Sequence, residues 1–111
     1  MKDNILITGG CGFIGSNFLD LLFDSTRFNL INVDNLTYAS NKEYSTIKKI
    51  NYKFIKGNIT SYNLINQVIK RFKPKFIFNF AAESHVDNSI SKPKIFLDTN
   101  ISGTYNILKN I

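Results

Sequence analysis

Thr8-Gly9-Gly10-Cys11-Gly12-Phe13-Ile14-Gly15-Ser16 sets four glycines within seven positions, between a short apolar run and an amphipathic one. It fits G-x-G-x-x-G through Gly10, Gly12 and Gly15, and G-x-x-G-x-x-G through Gly9, Gly12 and Gly15. A tight turn needs a residue free in φ, a diphosphate needs bare backbone N–H groups close by, and the next helix must approach the strand with no Cβ between them. The N-terminus of that helix then offers the positive end of its dipole to the phosphates. A merely structural tight turn is the plain alternative. The placement after a strand and at the opening of a helix, close to the start of the fold, favours the phosphate loop.

Outward from this loop the chain alternates two kinds of segment. Residues 4–8 (N-I-L-I-T) form a continuous apolar run that stops at the glycines, as a buried strand of a parallel sheet does. Residues 13–23 carry Phe13, Ile14, Phe18, Leu19, Leu21 and Leu22 at helical spacing. Residues 29–33 (N-L-I-N-V) are a second short strand closed by Asp34, and the polar stretch 35–49 accommodates a short helix with Tyr44, Ile47 and Ile50 inward. Residues 52–55 read as a third strand. Ser61 is placed to cap a helix whose inner face is Leu64, Ile65, Val68, Ile69 and Phe72, and Pro74 ends it. A fourth strand, residues 76–80 (F-I-F-N-F), precedes a polar segment and then Pro93, an N1 proline for a helix running towards Ile111. Strands alternating with helices mean βαβ units, and right-handed crossovers favour the Rossmann order 3-2-1-4. The fold class expected is therefore α/β, the first half of a Rossmann-like parallel sheet with flanking helices. A doubly wound sheet would continue with a fifth and sixth strand, so the 111 residues read as an incomplete, truncated dinucleotide-binding domain with no substrate domain.

Composition narrows the class. An apolar share of 43% and a charged share of 20% belong to a folded protein. No run approaches the roughly 18–20 apolar residues of a membrane span, and no signal peptide is visible. The single cysteine, Cys11, excludes an internal disulfide framework or a cysteine-based zinc site, and a reducing, cytoplasmic setting is expected. The net charge of +6 raises the question of nucleic acid. However, the basic residues are mostly scattered lysines in a chain also rich in Ile, Asn, Phe and Tyr, whose codons are A/T-rich like those of Lys. Coding bias and solubility account for the charge, and no nucleic-acid partner is expected.

Asp34 stands 19 positions beyond Gly15, at the end of the second strand. A carboxylate about 20 positions after the loop accepts hydrogen bonds from the adenosine ribose hydroxyls and repels a 2′-phosphate. With Asn35 rather than Arg following, the expectation is NAD in preference to NADP. A solvated Asp at a strand end is the alternative.

Three segments together are more specific. Residues 8–17 (T-G-G-C-G-F-I-G-S-N), 33–39 (V-D-N-L-T-Y-A) and 81–90 (A-A-E-S-H-V-D-N-S-I), with T-N-I-S-G-T at 99–104, resemble the extended short-chain dehydrogenase/reductases. Within them the similarity is to the dTDP-glucose 4,6-dehydratases, and it covers essentially the whole chain. The resemblance implies that Gly9, Gly10, Gly12 and Gly15 form the phosphate loop, with Phe13 and Ile14 along the diphosphate. Asp34, Asn35, Leu36 and Thr37 would surround the ribose, and Asn58 and Ile59 would meet the adenine. Phe80, Ala81, Ala82, Glu83 and Ser84 would line the nicotinamide side, with Thr99 behind them. Thr37, Ser84 and Asp87 would touch a dTDP-glucose substrate, and the full-length family implies a homodimer. Ligands at the carboxyl ends of strands make physical sense of these positions.

Two residues depart from the family pattern: Asn58 stands where Asp is usual, and Asn88 where Arg is usual. The implied reaction oxidises the glucose C4 hydroxyl, eliminates water across C5 and C6, and returns the hydride to C6. Its Tyr-x-x-x-Lys base and Thr-Asp-Glu set are expected beyond Ile111, so no catalytic residue is assigned. Four Tyr-x-x-x-Lys matches occur, at Tyr38/Lys42, Tyr44/Lys48, Tyr52/Lys56 and Tyr105/Lys109. None has the right context: Tyr52 is on a strand, where i and i+4 stand about 13 Å apart, and Tyr105 precedes the expected fifth strand. His85 has no triad or metal partner and reads as a loop contact, and Cys11 as a small side chain in the loop. Two other readings stay open: another nucleotide-sugar epimerase, dehydratase or decarboxylase of the superfamily, and a non-catalytic nucleotide-binding remnant.

Overall fold

The computed structural model describes residues 2–37, 40–81, 94 and 98–111. Four strands, β1 (Asp3–Thr8), β2 (Phe28–Asp34), β3 (Tyr52–Lys56) and β4 (Phe76–Asn79), lie parallel in the order β3-β2-β1-β4. Helix α1 (Phe13–Leu22) joins β1 to β2, and α2 (Tyr62–Phe72) joins β3 to β4. This is the half Rossmann sheet expected. Its register runs Thr8 beside Val33 and Asn79, and Asp34 beside Lys56, which brings all four carboxyl ends to one edge.

The sheet is buried on both faces, which is why its central strands read as apolar runs rather than alternating ones. On one face Ile5, Ile7, Leu30 and Tyr52 pack with Leu19 and Phe23 of α1 and its C-cap. On the other, Leu6, Ile31 and Val33 meet Val68 of α2. Phe18 of α1 packs on Phe78 and Phe80, with ring centroids 4.7 and 5.3 Å away. Phe76 lies exposed on β4, which has β1 as its one strand partner among the described residues.

Ser61 caps α2 as expected, its hydroxyl accepting from the Leu64 N–H, and the helix closes at Lys73 in the left-handed region immediately before Pro74. Three local expectations need correction. The polar stretch after β2 does contain a short 3-10 turn, Lys42–Ser45, with Tyr44 buried and Ile47 packed on the core, but Ile50 is fully exposed. It sits at the turn into β3, beside Asn51, whose side chain takes the inward position by donating to the carbonyls of Phe23, Ser25 and Phe28. The fourth strand ends at Asn79, although the Phe80 N–H still bonds to the Thr8 carbonyl. The last helix is not uniform: a wide π-type turn, Asp98–Gly103, precedes α3 (Thr104–Lys109). Gly103 weakens helix propensity there, and the Thr104 hydroxyl bonds to the Asn100 carbonyl. Of the apolar residues of this segment, Ile107 is buried while Ile101 and Leu108 are exposed. Pro93, Ile95 and Phe96 lie outside the described residues.

Replacing Ser61 by Ala removes the cap of α2 and should lower stability by about 1 kcal/mol, whereas Ser61→Asp should be nearly neutral. Urea melts followed by circular dichroism measure both; equal stability of Ser61→Ala and wild type would show the cap contributes nothing.

Candidate functional site

The four strand ends and their loops border an open cleft with room for about 90 Å³. Gly9 and Gly12 contribute from the β1 loop; Val33, Asp34, Asn35, Thr37 and Ser40 from β2 and the chain after it. Gly57, Asn58 and Ile59 follow β3, and Phe80 and Ala81 follow β4. The cleft therefore spans the point between β1 and β4 where the strand order reverses, the usual ligand position in such sheets.

The loop is held by an ordered set of hydrogen bonds. Gly9 N–H donates to the Val33 carbonyl (2.9 Å), Gly10 N–H to Asn32 Oδ1 (2.9 Å), and Cys11 N–H to Asp34 Oδ2 (2.8 Å). Gly12 N–H turns back to the Gly9 carbonyl (3.1 Å). Gly9 adopts φ +73°, and a Cβ there would stand 2.5 Å from the Ala81 nitrogen, so this position needs glycine twice over. A Cβ on Gly15 would run into the Gly9 carbonyl oxygen, and one on Gly10 into the Asn32 side chain. Gly12 differs: the nearest atom to its Cβ would be the Gly9 oxygen at 3.4 Å, an ordinary contact. Among the described residues nothing requires glycine at 12, and the position faces the cleft.

At the start of α1 the N-cap is Gly12, with no side-chain cap. The first intrahelical donor is Ser16 N–H, to the Gly12 carbonyl (2.9 Å). The N–H groups of Phe13, Ile14 and Gly15 are the orphan donors of a helix first turn. Phe13 and Ile14 are exposed there. These donors, the helix dipole and the open Gly12 make a cradle that suits a diphosphate.

Asp34 is not a solvated strand-end residue. It is 7% exposed, and besides Cys11 it accepts from Leu36 N–H (2.8 Å) and the Ser40 hydroxyl (3.4 Å) on Oδ1. With two lone pairs on each oxygen, Oδ2 retains one acceptor site. Leu36 does not border the cleft. The bond to Asp34 holds it at φ 55°, which costs a non-glycine residue on the order of 1–2 kcal/mol, and its side chain packs on the α1-side core. The Asn58 side-chain oxygen accepts from Thr60 N–H (3.0 Å), so its amide group is the end left available. Ile59 is buried, and its carbonyl accepts from Asn106 of α3 (2.7 Å).

Of the residues singled out from sequence, Gly9, Gly12, Asp34, Asn35, Thr37, Asn58, Ile59, Phe80 and Ala81 border one cleft. Gly10, Gly15 and Leu36 stand behind it, and Thr99 falls in the wide turn before α3. Ala82, Glu83, Ser84, His85, Asp87 and Asn88 lie outside the described residues. Val33, Ser40 and Gly57 border the cleft without having been singled out. Asn32 was missed as well, read as part of an apolar strand; its one signal was an amide in a run otherwise fit for the core.

Cys11 is fully buried, and burial followed by the charge of Asp34 pushes its thiol up from 9.0 to about 12. It stays protonated and unreactive at neutral pH. None of the described Tyr–Lys pairs borders the cleft. The Tyr52 hydroxyl is buried in the core and raised to about 12, opposite to what a general base needs. Tyr44 donates to Asp20, which raises it too, and Lys109 lies over the Tyr62 ring, 5.5 Å from its centroid. Among the described residues no group of three or more His, Cys, Asp or Glu could hold a metal ion, and no helix is long and apolar enough to cross a membrane.

Two predictions follow from the loop. Asp34→Ala should cost about 2 kcal/mol of stability by orphaning the buried Cys11 N–H, with Asp34→Asn much milder; denaturant melts check this. Because Cys11 and Tyr52 have folded-state values raised from 9.0 and 10.0 to about 12, the unfolded chain releases their protons first. Their contribution is therefore constant below about pH 9 and is lost as pH rises towards 12. Melts between pH 7 and 11 should show this decline, with its onset moved upward in Cys11→Ala.

Comparison with known proteins adds an independent line. The family model described as GDP-mannose 4,6 dehydratase matches residues 6–111. The dTDP-glucose 4,6-dehydratase of Haemophilus influenzae is 42% identical over 110 residues, covering 96% of this chain and 32% of that protein. Among solved structures, the dTDP-glucose 4,6-dehydratase of Bacillus anthracis in complex with NAD is 43% identical with a TM-score of 0.80, over 96% of this chain and 33% of that one. The UDP-glucose 4-epimerase of Thermotoga maritima with UDP-glucose is 31% identical with a TM-score of 0.84, over 96% and 33% respectively. The chain thus spans about a third of the length of these relatives.

Proposed function

The chain belongs to the GDP-mannose 4,6 dehydratase family, and we propose that it is the NAD-binding domain of a dTDP-glucose 4,6-dehydratase. One observation carries the cofactor half of this reading. Gly9, Gly10 and Gly15 are each explained by neighbouring protein atoms, whereas among the described residues Gly12 is explained by none, and it lies beside the Phe13 and Ile14 N–H groups, which have no partner within the helix. A bound diphosphate supplies the missing reason. Asp34 and Asn35 then favour the unphosphorylated ribose of NAD, with Thr37 beside them and Asn58 and Ile59 at the adenine. Phe80 and Ala81, continuing into Ala82, Glu83 and Ser84 with Thr99 behind, form the nicotinamide side.

NAD, when bound, supplies the hydride acceptor for oxidation at the sugar C4 and the donor for reduction at C6. This chain's residues bind and orient it; Thr37, Ser84 and Asp87 contact the sugar nucleotide. The choice of dTDP-glucose over GDP-mannose is supported by the A-E-S-H-V-D segment and by dTDP-glucose 4,6-dehydratase relatives at 40–45% identity. An epimerase reading has the Thermotoga maritima likeness in its favour, at the lower identity of 31%. A cytoplasmic setting and a homodimer complete the proposal.

Calorimetric titration with NAD and NADP tests it. NAD should bind more tightly, Gly12→Val should abolish binding while remaining folded by circular dichroism, and Cys11→Ala should bind nearly as wild type does. NADP binding as tightly as NAD, or a folded Gly12→Val that binds normally, would refute the reading. For the protein that contains this domain, formation of a 4-keto-6-deoxyglucose nucleotide from dTDP-glucose separates dehydratase from epimerase. The chain by itself is expected to form none, since the described Tyr–Lys pairs stand away from the cleft.

A further inference from the structure

Asn32 is a fully enclosed polar side chain near the cleft, 0% exposed and third from the carboxyl end of β2, on the α1 side of the sheet. Its amide links the glycine loop to β3. Its Oδ1 accepts from Gly10 N–H at 2.9 Å, and its Nδ2 donates to the Tyr52 hydroxyl at 2.9 Å and contacts the Cys11 sulfur at 3.6 Å. The Tyr52 hydroxyl in turn donates to the Tyr44 carbonyl at 2.5 Å. The same 41–52 segment grips the loop from its other side, where Asn41 N–H donates to the Cys11 carbonyl at 2.6 Å. Gly10 is therefore held at its N–H by Asn32 and Cys11 at its carbonyl by Asn41, in a unit whose Asn32, Tyr44 and Tyr52 do not border the cleft.

We propose that Asn32 is a positioning residue for the phosphate loop: through Gly10 it sets where the Phe13 and Ile14 N–H groups stand, relaying the position of β3 and the 3-10 turn to the cofactor. This rests on the NAD reading above. Two features support it beyond the bonds themselves. A Cβ at Gly10 would come within 2.5 Å of Asn32 Cγ, so the glycine and the amide are matched to each other. Of the two side chains holding the loop, Asp34 borders the cleft while Asn32 does not, so Asn32 can act on a ligand only through the loop.

The test compares three variants of the chain. Asn32→Leu orphans the Gly10 N–H and should weaken NAD binding about tenfold or more. Tyr52→Phe leaves the Gly10 bond intact but frees the Asn32 amide, and should weaken binding by about two- to fivefold. Asn51→Leu is the control: it removes three carbonyl contacts at the opposite, amino-terminal end of the sheet and should leave affinity within about twofold of wild type despite a comparable loss of stability. Amide hydrogen exchange without ligand provides the second arm. Exchange at residues 10–13 should accelerate in Asn32→Leu while the amides of β1 keep their protection. Affinity and exchange unchanged in a folded Asn32→Leu, or an equal loss of affinity in Asn51→Leu, would overturn the proposal. Should wild type bind no NAD, the cofactor reading fails, and the exchange arm alone still decides whether Asn32 positions the loop.

Discussion

Three successive N–H groups of the glycine loop are held by three successive residues at the end of β2: Gly9 by the Val33 carbonyl, Gly10 by Asn32 and Cys11 by Asp34. Everything at the cleft depends on this pairing. It directs the chain away from the sheet at the correct angle for α1 to start at Phe13, and it uses up every loop donor except those aimed outward. Burial makes it strong, because an unmet N–H in this environment costs about 1–3 kcal/mol.

The pairing in turn rests on the parallel register. Thr8 lies beside Val33, so the residue after β1 meets the last turn of β2 directly. On the other side, Thr8 pairs with Asn79, whose amide oxygen accepts from the Thr8 hydroxyl and from Ala81 N–H, and whose nitrogen donates to the Thr104 hydroxyl. Asparagine side chains thus tie the strand ends to each other and to α3, with the buried Asn106 joining α3 to Ile59 in the same way. In a chain rich in this residue, side-chain amides serve both donor and acceptor needs without placing charge in the core. Asp34 is the charged exception, and its carboxylate is compensated by two N–H groups and a hydroxyl.

The four strands, their order and the caps of α2 were legible because they rest on local signals: apolar run length, helical periodicity, Ser61 and Pro74. The exposed Ile50 was not, since periodicity in a short polar stretch cannot decide whether a 3-10 turn or an asparagine side chain fills the inward position. The wide turn before α3 was hidden too: Thr104, which closes it on the Asn100 carbonyl, is also held by Asn79 from a distant part of the chain. In the cleft, residues named from motif spacing came together at one edge. Those acting from behind it, Asn32 above all, were read as strand because position along an apolar run says nothing of what a side chain faces.

The sequence by itself determined that a glycine loop joins a buried strand to a helix, that a carboxylate follows at the end of the next strand, and that the strands wind in the order 3-2-1-4. Spacing and periodicity along one dimension are sufficient for each of these. Only the tertiary structure decided what each glycine is for and what Asp34 does before any ligand arrives. The difference between Gly12 and its neighbours is a matter of which atoms approach it: Ala81, Asn32 and the Gly9 carbonyl crowd three of the four positions, and the described residues leave the fourth clear.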